Sequence, residues 1–229
     1  MERSGEMKRK NVICLVVLFV VAVSVNAGLW DPPVLNPSFE SPDTGGLWSQ
    51  IVDDWFKLSW WGSFIESELG GGIPDTPYGN QWGGVATDAM FQQIGTYGEN
   101  LEIPISLLLG HRVNNTVGDV TVSIWAGGDV SILDDYDPDF DIYHTLTEIG
   151  AVQMDSFTLP DPWGAGNPNE ETTFLNAILN TGTGGVIDDP LWIQLESTGK
   201  VWLDQLVIPE PVTIVLLGIG GLSLVRRKR

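Results

Sequence analysis

The sequence has little of three things on which many functional sites depend: cysteine, histidine and positive charge. It contains one cysteine, Cys14, and two histidines, His111 and His144. Cys14 lies inside an apolar stretch near the start of the chain, so it supplies neither a disulfide nor a reactive thiol to the rest of the protein. The two histidines are isolated and lack the His-x-x-x-His or Cys–His spacing of a zinc site.

Positive charge is nearly absent between the two ends of the chain. Residues 28–208 contain three cations, Lys57, Arg112 and Lys200, against 27 acids, which is a formal net charge of −24. A nucleic-acid partner is therefore excluded, because phosphate binding needs a basic face. Such acidity suits solubility outside the cell, divalent cations or a saline setting.

Familiar catalytic signatures are also lacking. No Gly-x-Ser-x-Gly elbow occurs, and the glycine-rich runs at 70–72 and 182–185 lack the lysine and helix of a phosphate-binding loop. A glycosidase needs two carboxyl groups about 5–9.5 Å apart, and among so many acids no pair stands out. We therefore expect the protein not to be an enzyme.

The start of the chain has the three parts of a secretory signal peptide. Three cations, Lys8 to Lys10, precede an apolar stretch over 12–25, and Val25-Asn26-Ala27 places small residues at positions −3 and −1 of a cleavage site. We predict a signal peptide over residues 1–27 that signal peptidase removes after Ala27. A retained membrane helix fits less well, because 14 apolar residues are short for a span.

The end of the chain combines a proline-rich triplet, an apolar run and a basic tail. Pro209, Glu210 and Pro211 precede 14 apolar residues over 212–225, and the chain then ends in four cations: Arg226, Arg227, Lys228 and Arg229. The prolines restrict helix to the residues after them. A 14-residue helix is about 21 Å long, so flanking residues would have to extend it across a bilayer. Its cations would remain on the cytoplasmic side.

This order of triplet, apolar helix and basic tail resembles the PEP-CTERM sorting signal of Gram-negative bacteria, over residues 209–229. The resemblance implies transient anchoring in the inner membrane through a transmembrane helix. It also implies processing near the triplet by an exosortase, and export to the cell surface or the extracellular (biofilm) matrix. The alternative is an ordinary C-terminal membrane anchor, which gives a similar location.

The span between the two signals, residues 28–208, predicts one all-β domain, an antiparallel β-sandwich. Short strands alternate with turn clusters, and no repeat of about 20–50 residues is present. One short helix is expected over 172–180, the glycine-rich span 70–84 is expected to be a long loop, and the domain is expected to close with a hairpin that turns over 197–200. Strands are predicted over 34–40, 51–56, 90–94, 100–109, 120–126, 130–133, 143–149, 151–159, 191–196 and 201–207.

Two segments narrow this prediction. Asn36-Pro37-Ser38-Phe39-Glu40 resembles the opening of galactose-binding-like jelly rolls, and Val201-Trp202-Leu203-Asp204-Gln205-Leu206-Val207 resembles their closing strand. Another β-sandwich or a β-solenoid remains the alternative. The resemblance implies a structural Ca²⁺ held by Glu40 and Asp204, with Asn36 and Asp43 as further oxygen ligands. Alternatively, these carboxylates only accept hydrogen bonds from turn amides.

Tryptophan is abundant, and flat aromatic faces pack well against sugar rings. Trp125, Trp192 and Trp202 fall within predicted strands and are expected in the core. The candidates for a ligand site lie in or beside predicted loops: Trp60, Trp61, Trp82 and Trp163. The alternative is that these side chains only anchor long loops to the sandwich.

These observations predict an exported cell-surface or matrix protein that binds extracellular polysaccharide. The alternative is a structural or adhesive matrix protein that associates through calcium and has no sugar site. The acidic run over 134–141 favours a solvated loop, because it lacks the mid-loop glycine and distal glutamate of an EF-hand. The alternative is an independent metal site, because the alternating aspartates place an oxygen at every second residue, as calcium loops do.

Overall fold

The computed structural model describes residues 34–41, 43, 48–49, 54–58, 63–67, 75, 79–113, 115–134, 144–164, 169 and 171–209. The chain divides into two compact units, of which Asp31–Ile208 holds every strand given below. The other unit, Met1–Trp30 with Pro209–Arg229, lies outside the described residues apart from Pro209. The predicted signal peptide, its cleavage after Ala27 and the apolar C-terminal helix therefore fall on residues that are not described. Within the described ranges, no helix is both long and apolar enough to cross a membrane.

The described part of the domain is built almost entirely of strands, and every strand pairing in it is antiparallel, which confirms the prediction of an all-β antiparallel domain. A short 3₁₀-helix spans Val130–Asp134. The strands in chain order are β1 (Trp48–Ser49), β2 (Phe56–Lys57), β3 (Ser63–Ser67), β4 (Gln81–Thr96), β5 (Glu102–His111), β6 (Val120–Ala126), β7 (Val152–Leu159), β8 (Glu171–Asn180) and β9 (Pro190–Val207).

Two long strands, β4 and β9, pair along most of their length and connect the two halves of the sheet. The edge of β9 that faces away from β4 pairs with β6 over 191–197 and with β5 over 202–207. Strand β7 extends the sheet beyond β6, and β8 extends it beyond β5. On the other side of β4, β3 pairs with its first residues and β2 with Met90 and Phe91. We call the two parts the β6 half and the β5 half.

The two halves meet at a break in the β4–β9 register. Ala86 pairs with Lys200, but the next paired residue, Asp88, is opposite Ser197. One residue of β4, Thr87, therefore lies opposite two residues of β9. An unequal count of this kind bends a strand pair and changes where its side chains point. The break lies where β9 exchanges β6 for β5 as its neighbour.

Strand alternation buries one face of each half. On β5, Ile103, Ile105, Leu107 and Leu109 are at most 3% exposed, and on β6 the inward residues are Val120, Val122 and Ile124. Because successive side chains of a strand point to opposite faces, these residues form a continuous apolar surface. The prediction that 120–126 is a half-buried strand with alternating burial is thereby confirmed.

A second layer of aromatic side chains lies on the opposite face of each half. In the β6 half, the Phe91 and Trp192 rings meet edge to face with their centroids 5.8 Å apart. In the β5 half, Phe64 and Trp202 meet in the same way at 6.0 Å. Edge-to-face contact of this kind is favourable for aromatic pairs. The opposite faces of the sheet are thus partly covered as well.

The beginning of β4 corrects the expectation of a long loop over 70–84. The strand already starts at Gln81, and it contains Gly83 and Gly84. The Phe39 ring lies against Gly83 and the Phe64 ring against Gly84, so a side chain at either position would collide with an aromatic ring. These two glycines therefore belong to a strand, where their lack of a side chain leaves room for aromatic rings to pack against the backbone. They do not form a turn.

The helix expected over 172–180 is wrong, because Glu171–Asn180 is strand β8. It pairs with β5 over its whole length, from His111–Glu171 to Glu102–Asn180. Its two buried residues, Leu175 and Leu179, are four apart, a spacing that suits a helix and a strand equally well.

The hairpin expected over 197–200 is also wrong, because β9 runs through these residues without reversing. Their backbone groups bond to the segment before β6: Thr198 N–H donates to the Asp119 carbonyl at 3.0 Å, and Lys200 N–H to the Thr116 carbonyl at 2.9 Å. The segment before β6 thus provides hydrogen-bond partners for backbone N–H groups that would otherwise have bonded within a turn.

Three further predicted strands are absent from the described residues that cover them. Residues 34–40 form bends and a turn, 130–133 belong to the 3₁₀-helix, and 144–149 form an extended residue pair followed by a turn. In the last case Glu148 and Thr145 bond reciprocally, with Thr145 N–H to Glu148 Oε2 at 2.8 Å and Glu148 N–H to Thr145 Oγ1 at 3.1 Å. These local side-chain bonds compete with strand pairing.

Candidate functional site

A cleft of about 440 Å³ opens on the β6 half at the register break. Strand β4 contributes Thr87, Asp88 and Ala89, and β9 contributes 194 and 196–198. Trp125 of β6, Leu58 beyond β2 and the segment 145–147 complete it. Its volume falls within the range of about 300–1,000 Å³ that is usual for small-molecule and cofactor sites.

Trp125 provides the aromatic surface of the cleft. It is half-buried, and its indole N–H donates to Ser123 Oγ at 2.9 Å. Across the β6–β9 pairing it lies opposite Trp192, which is 1% exposed and donates its own N–H to the Gly127 carbonyl at 2.9 Å. A buried neighbour and a hydrogen bond thus hold the Trp125 ring in place.

The polar side chains of the cleft come from the centre of the sheet. Because side chains alternate along β9, Gln194 and Glu196 lie on the same face as Trp192. Gln194 Nε2 lies 3.5 Å from Glu196 Oε2. Glu196 is opposite Ala89 of β4 and shares its face, whereas Asp88 is opposite Ser197 and therefore lies on the other face of the sheet. Glu196 is exposed and Asp88 is half-buried.

The segment 144–150 forms one rim of the cleft and is anchored from below. Leu146 is 1% exposed and packs in the same cluster as Phe91 and Trp192. The backbone N–H and the hydroxyl of Thr145 both donate to Glu148, and these bonds lower the pKa of the Glu148 carboxyl. The rim is therefore held by apolar packing inside and by a charge-assisted bond outside.

Thr87, at the register break, has a strained backbone. Its φ of 56° lies in the left-handed region, where a β-branched residue is a genuine outlier. Strain of this kind costs about 1–3 kcal/mol and clusters at ligand clamps and active sites. The strained residue lines the cleft.

The predicted calcium ligands come from two parts of the chain, the first described segment and strand β9. The first segment reaches the last strand, since Leu206 N–H donates to the Pro37 carbonyl at 2.9 Å. Glu40 Oε1 accepts the N–H groups of Asn80 and Gln81, at 2.9 and 3.1 Å. Asp204 is fully buried, and its Oδ1 accepts Gln205 N–H at 2.7 Å.

The two remaining predicted ligands differ in their surroundings. Asn36 closes a turn through bonds to the backbone of Ser41, at 2.7 and 3.1 Å. Asp43 is exposed. Among the residues that the structure describes, no three His, Cys, Asp or Glu side chains come close enough to share a metal ion. The calcium site stays a prediction.

The predicted ligand-binding tryptophans are dispersed. Trp60 and Trp61 lie outside the described residues. Trp82 is fully buried beside Trp202, so it belongs to the core and offers no face to a ligand, which corrects that assignment. Trp163 is half-buried, and its ring lies 5.3 Å from the ring of His111.

The aromatic residue that does line a cleft, Trp125, is expected in the core by the sequence; it is half-buried and packs against the cluster of Phe91 and Trp192, but it also faces the cleft. The alternation of residues 120–126 indicates the face of the strand on which Trp125 lies. Val120, Val122, Ile124 and Ala126 point inward, so Trp125 must point to the opposite face. Trp192 and Trp202 are buried, as expected.

Two of the three cations of residues 28–208 meet on the β5 half, away from the cleft. Glu66 accepts Arg112 Nη1 at 3.1 Å and the Trp202 indole N–H at 3.0 Å, and Lys200 Nζ lies 4.0 Å from it. Burial lowers the pKa of Lys200, whose ammonium lies 4.5 Å from the centre of the Phe64 ring.

Comparison with known proteins shows similarity at the level of the fold. No family model matches the sequence, and no curated protein matches it. A cyclase from Fischerella sp. TAU, solved with 4-(1H-indol-3-yl)butan-2-one, is similar with a TM-score of 0.51 and 12% identity, over 76% of this chain and 93% of the cyclase. An apo cyclase from Fischerella sp. gives 0.50 and 11%, over 76% and 92%.

These similarities correct the expectation that the protein is not an enzyme. Several solved structures that share the fold across nearly their whole length are cyclases, one of them described as a Stig cyclase. The absence of serine-hydrolase, zinc and phosphate-loop signatures is therefore no reason to exclude catalysis on this fold. At 11–12% identity the similarity extends to the fold alone.

Proposed function

We propose that the protein is exported, is sorted to the cell surface or extracellular matrix by an exosortase, and binds a glycan in the cleft of the β6 half. The proposal assigns the domain to the galactose-binding-like jelly rolls, a class of β-sandwich. Two features support this fold: the wholly antiparallel pairing, and the contact between the first segment and the last strand through Leu206 and Pro37.

The observation that carries the glycan proposal is the composition of the cleft. One fixed aromatic side chain, Trp125, lines the cleft together with the amide of Gln194 and the carboxylate of Glu196, which lie on the same face of the sheet. Binding sites typically combine apolar and aromatic walls with a few placed polar groups. A sugar ring needs this combination, because its C–H face packs on an aromatic ring while its hydroxyls bond to amides and carboxylates.

The cleft is tested by removing its aromatic surface. Full-length protein, purified in mild detergent, is titrated by calorimetry with soluble neutral, amino and acidic oligosaccharides. Trp125→Ala should weaken binding about 5- to 160-fold, if the loss of a stacked sugar is worth the same about 1–3 kcal/mol as the loss of a nucleobase stacked on an aromatic side chain. The matched control is Trp163→Ala, which removes a half-buried tryptophan outside the cleft and should leave the affinity unchanged.

Equal losses in the two variants would show that the cleft is not the binding site. Absence of binding by the wild-type protein across the series would overturn the glycan proposal itself. Because enzymes share this fold, the same mixtures are examined by mass spectrometry for shortened or rearranged sugar.

The sorting route is tested separately in the producing bacterium. Replacing Pro209, Glu210 and Pro211 with alanine should leave the protein in the inner-membrane fraction and increase its mass relative to the processed wild type. An unchanged mass and an unchanged distribution would contradict exosortase processing and favour an ordinary membrane anchor.

A further inference from the structure

We propose that His111 is a pH-sensitive clamp, which holds two segments of the chain together only while its imidazole carries a proton on both ring nitrogens. One segment contains Asn115, which follows β5, and the other contains Asn169, which precedes β8. This inference does not depend on the proposed glycan site, since His111 is the last residue of β5 and does not line the cleft.

Both ring nitrogens of His111 face a backbone carbonyl. Nδ1 lies 2.8 Å from the Asn169 oxygen, and Nε2 lies 3.0 Å from the Asn115 oxygen. A carbonyl oxygen only accepts hydrogen bonds, and a neutral imidazole has a single N–H to donate. In the neutral ring, one of these two contacts would therefore set a nitrogen lone pair against an oxygen lone pair. Only the doubly protonated ring, the imidazolium, donates to both carbonyls.

The burial of the ring makes an unmade bond costly. His111 is 0% exposed and ends the inward row of β5 that begins with Ile103. A buried polar atom without a partner raises the free energy of the fold, whereas at the surface water would satisfy the same atom. Hydrogen bonds from a charged donor are about twice as strong as those between neutral groups. Two such bonds offset part of the cost of burying the positive charge.

Two neighbouring side chains favour the charged ring. The centroids of the His111 and Trp163 rings are 5.3 Å apart, within the distance of about 6 Å at which an aromatic ring attracts a cation. Glu171 of β8 is opposite His111 in the antiparallel pairing, so the two side chains share a face of the sheet. Because Glu171 is exposed, solvent weakens its attraction for the ring.

Two cations lie near the end of β5, but both are directed at a carboxylate. Arg112 donates to Glu66 at 3.1 Å, and Lys200 Nζ lies 4.0 Å from the second oxygen of the same carboxylate. Their repulsion of a charged His111 ring is thus partly offset by Glu66.

Two further acids lie on the segments beside the ring. Asp119 accepts the N–H of Asp161 at 3.1 Å, and Asp161 accepts the N–H of Trp163 at 3.1 Å. Together with Glu171, these carboxylates give the described surroundings of the ring more negative than positive charge, which favours the imidazolium.

The sign of the pH dependence follows from which state of the chain holds the second proton. An unfolded chain releases the second proton of a histidine near about pH 6.5, whereas the folded clamp requires it. The stability that the clamp contributes is therefore complete in mild acid and is lost as the pH rises and the folded ring gives up this proton. In the neutral ring one of the two carbonyls loses its bond, and the segment that carries it is released.

The protonation of the ring is read directly by NMR. The chain contains two histidines, so full-length protein labelled with ¹⁵N-histidine in mild detergent gives two ring systems, and His144→Gln assigns them. At about pH 7.5, where an ordinary histidine is mostly neutral, we expect both nitrogens of His111 to carry a proton. A ring with one protonated nitrogen at that pH would overturn the inference.

A pair of matched variants tests the electrostatic support. Glu171→Gln should lower the pH at which His111 loses its second proton by about 0.1–0.7 pH units, because an exposed opposite charge is removed from beside the ring. The control, Glu102→Gln, removes the same charge from an exposed position at the other end of β5 and should not change that pH. Equal changes in both variants would show that the ring responds to total charge, contrary to the inference.

The release of a segment is measured by hydrogen exchange, corrected for the intrinsic effect of pH. A peptide that contains Asn115 or Asn169 should exchange at least about threefold faster once the ring has lost its second proton, whereas strand β6 (120–126) should not change. Unchanged exchange in both peptides would show that deprotonation frees neither segment and would refute the clamp. These measurements use the wild-type protein, so they decide the question even if a variant does not fold.

Discussion

The strained backbone of Thr87 leads to a stability prediction of unusual sign. Replacing a strand residue with glycine normally costs about 0.5–1 kcal/mol, because glycine loses more backbone freedom on folding. At Thr87 the native φ of 56° already costs an L-residue about 1–2 kcal/mol, which glycine does not pay. We expect Thr87→Gly to stabilise the domain by a net of about 0.5–1 kcal/mol.

A matched substitution isolates the strain. Thr172 is exposed on β8 and does not have a positive φ. Thr172→Gly should therefore show only the ordinary cost, a loss of about 0.5–1 kcal/mol. The glycine entropy is common to both variants, so the difference between them, about 1–2 kcal/mol, reports the left-handed strain itself.

Urea unfolding of the full-length protein in mild detergent, followed by tryptophan fluorescence, provides the two free energies of unfolding. A change of 1 kcal/mol corresponds to about 2–4 °C in Tm for a domain of this size, so thermal melts give a second reading. If both variants lose stability equally, the backbone of Thr87 is not strained, and the assignment of strain to the register break is refuted. If Thr87→Gly gains stability, we expect it also to bind glycan more weakly, because a relaxed break no longer directs Asp88 and Ala89.

Three further predictions concern packing, pH and calcium. Trp192→Ala should lower the free energy of unfolding by about 3–5 kcal/mol, because the ring is fully buried in the sheet; a loss below about 1 kcal/mol in urea would contradict this packing. The pKa of Glu148 is lowered by its bonds from Thr145, so its stabilising contribution is complete at neutral pH and is lost as the pH falls through that lowered pKa. Wild type should therefore lose Tm in acid relative to Glu148→Gln, and parallel pH profiles would argue against it. If Glu40 and Asp204 hold Ca²⁺, chelator should lower the wild-type Tm but not that of Glu40→Gln, whereas chelator-independent melting would eliminate the site.

The sequence best predicts strands that keep one apolar face along their whole length. Residues 120–126 alternate strictly, and their inward valines and isoleucine report one apolar face. The same pattern carries 102–111, and the bounds of 102–111 and 152–159 both lie within two residues of the prediction. Here the side chains alone contain the information, because period two has no competing interpretation.

The wrong secondary-structure predictions fall on segments whose structure is decided by contacts with residues far away in the sequence. Ser197 to Lys200 has the composition of a turn, yet its hydroxyl and amide groups bond to residues 116–119, which lie about 80 positions earlier. Strand β8 spaces Leu175 and Leu179 as a helix would, and only its pairing with β5 selects the strand. Propensity is a weak prior in such cases and tertiary contacts override it.

The cleft could not be predicted for the same reason. Its residues come from positions 58, 87–89, 125, 145–147 and 194–198, and only the register of β4, β6 and β9 brings them together. Loop tryptophans are reasonable candidates because loops carry many binding residues. The tryptophan that lines the cleft is on strand β6.

The position of β9 has a consequence for how the domain folds. It is the last strand among the described residues, yet it pairs with β4, β5 and β6. Until residues 190–207 are available, β4 has no partner along most of one edge, and β5 and β6 are not joined to it. Contacts so distant in sequence are slow to form, because the loop must close before the pairing is rewarded. We expect a single late step, in which the arrival of β9 completes both halves and the cleft together, and nascent chains that end before residue 190 should remain unfolded.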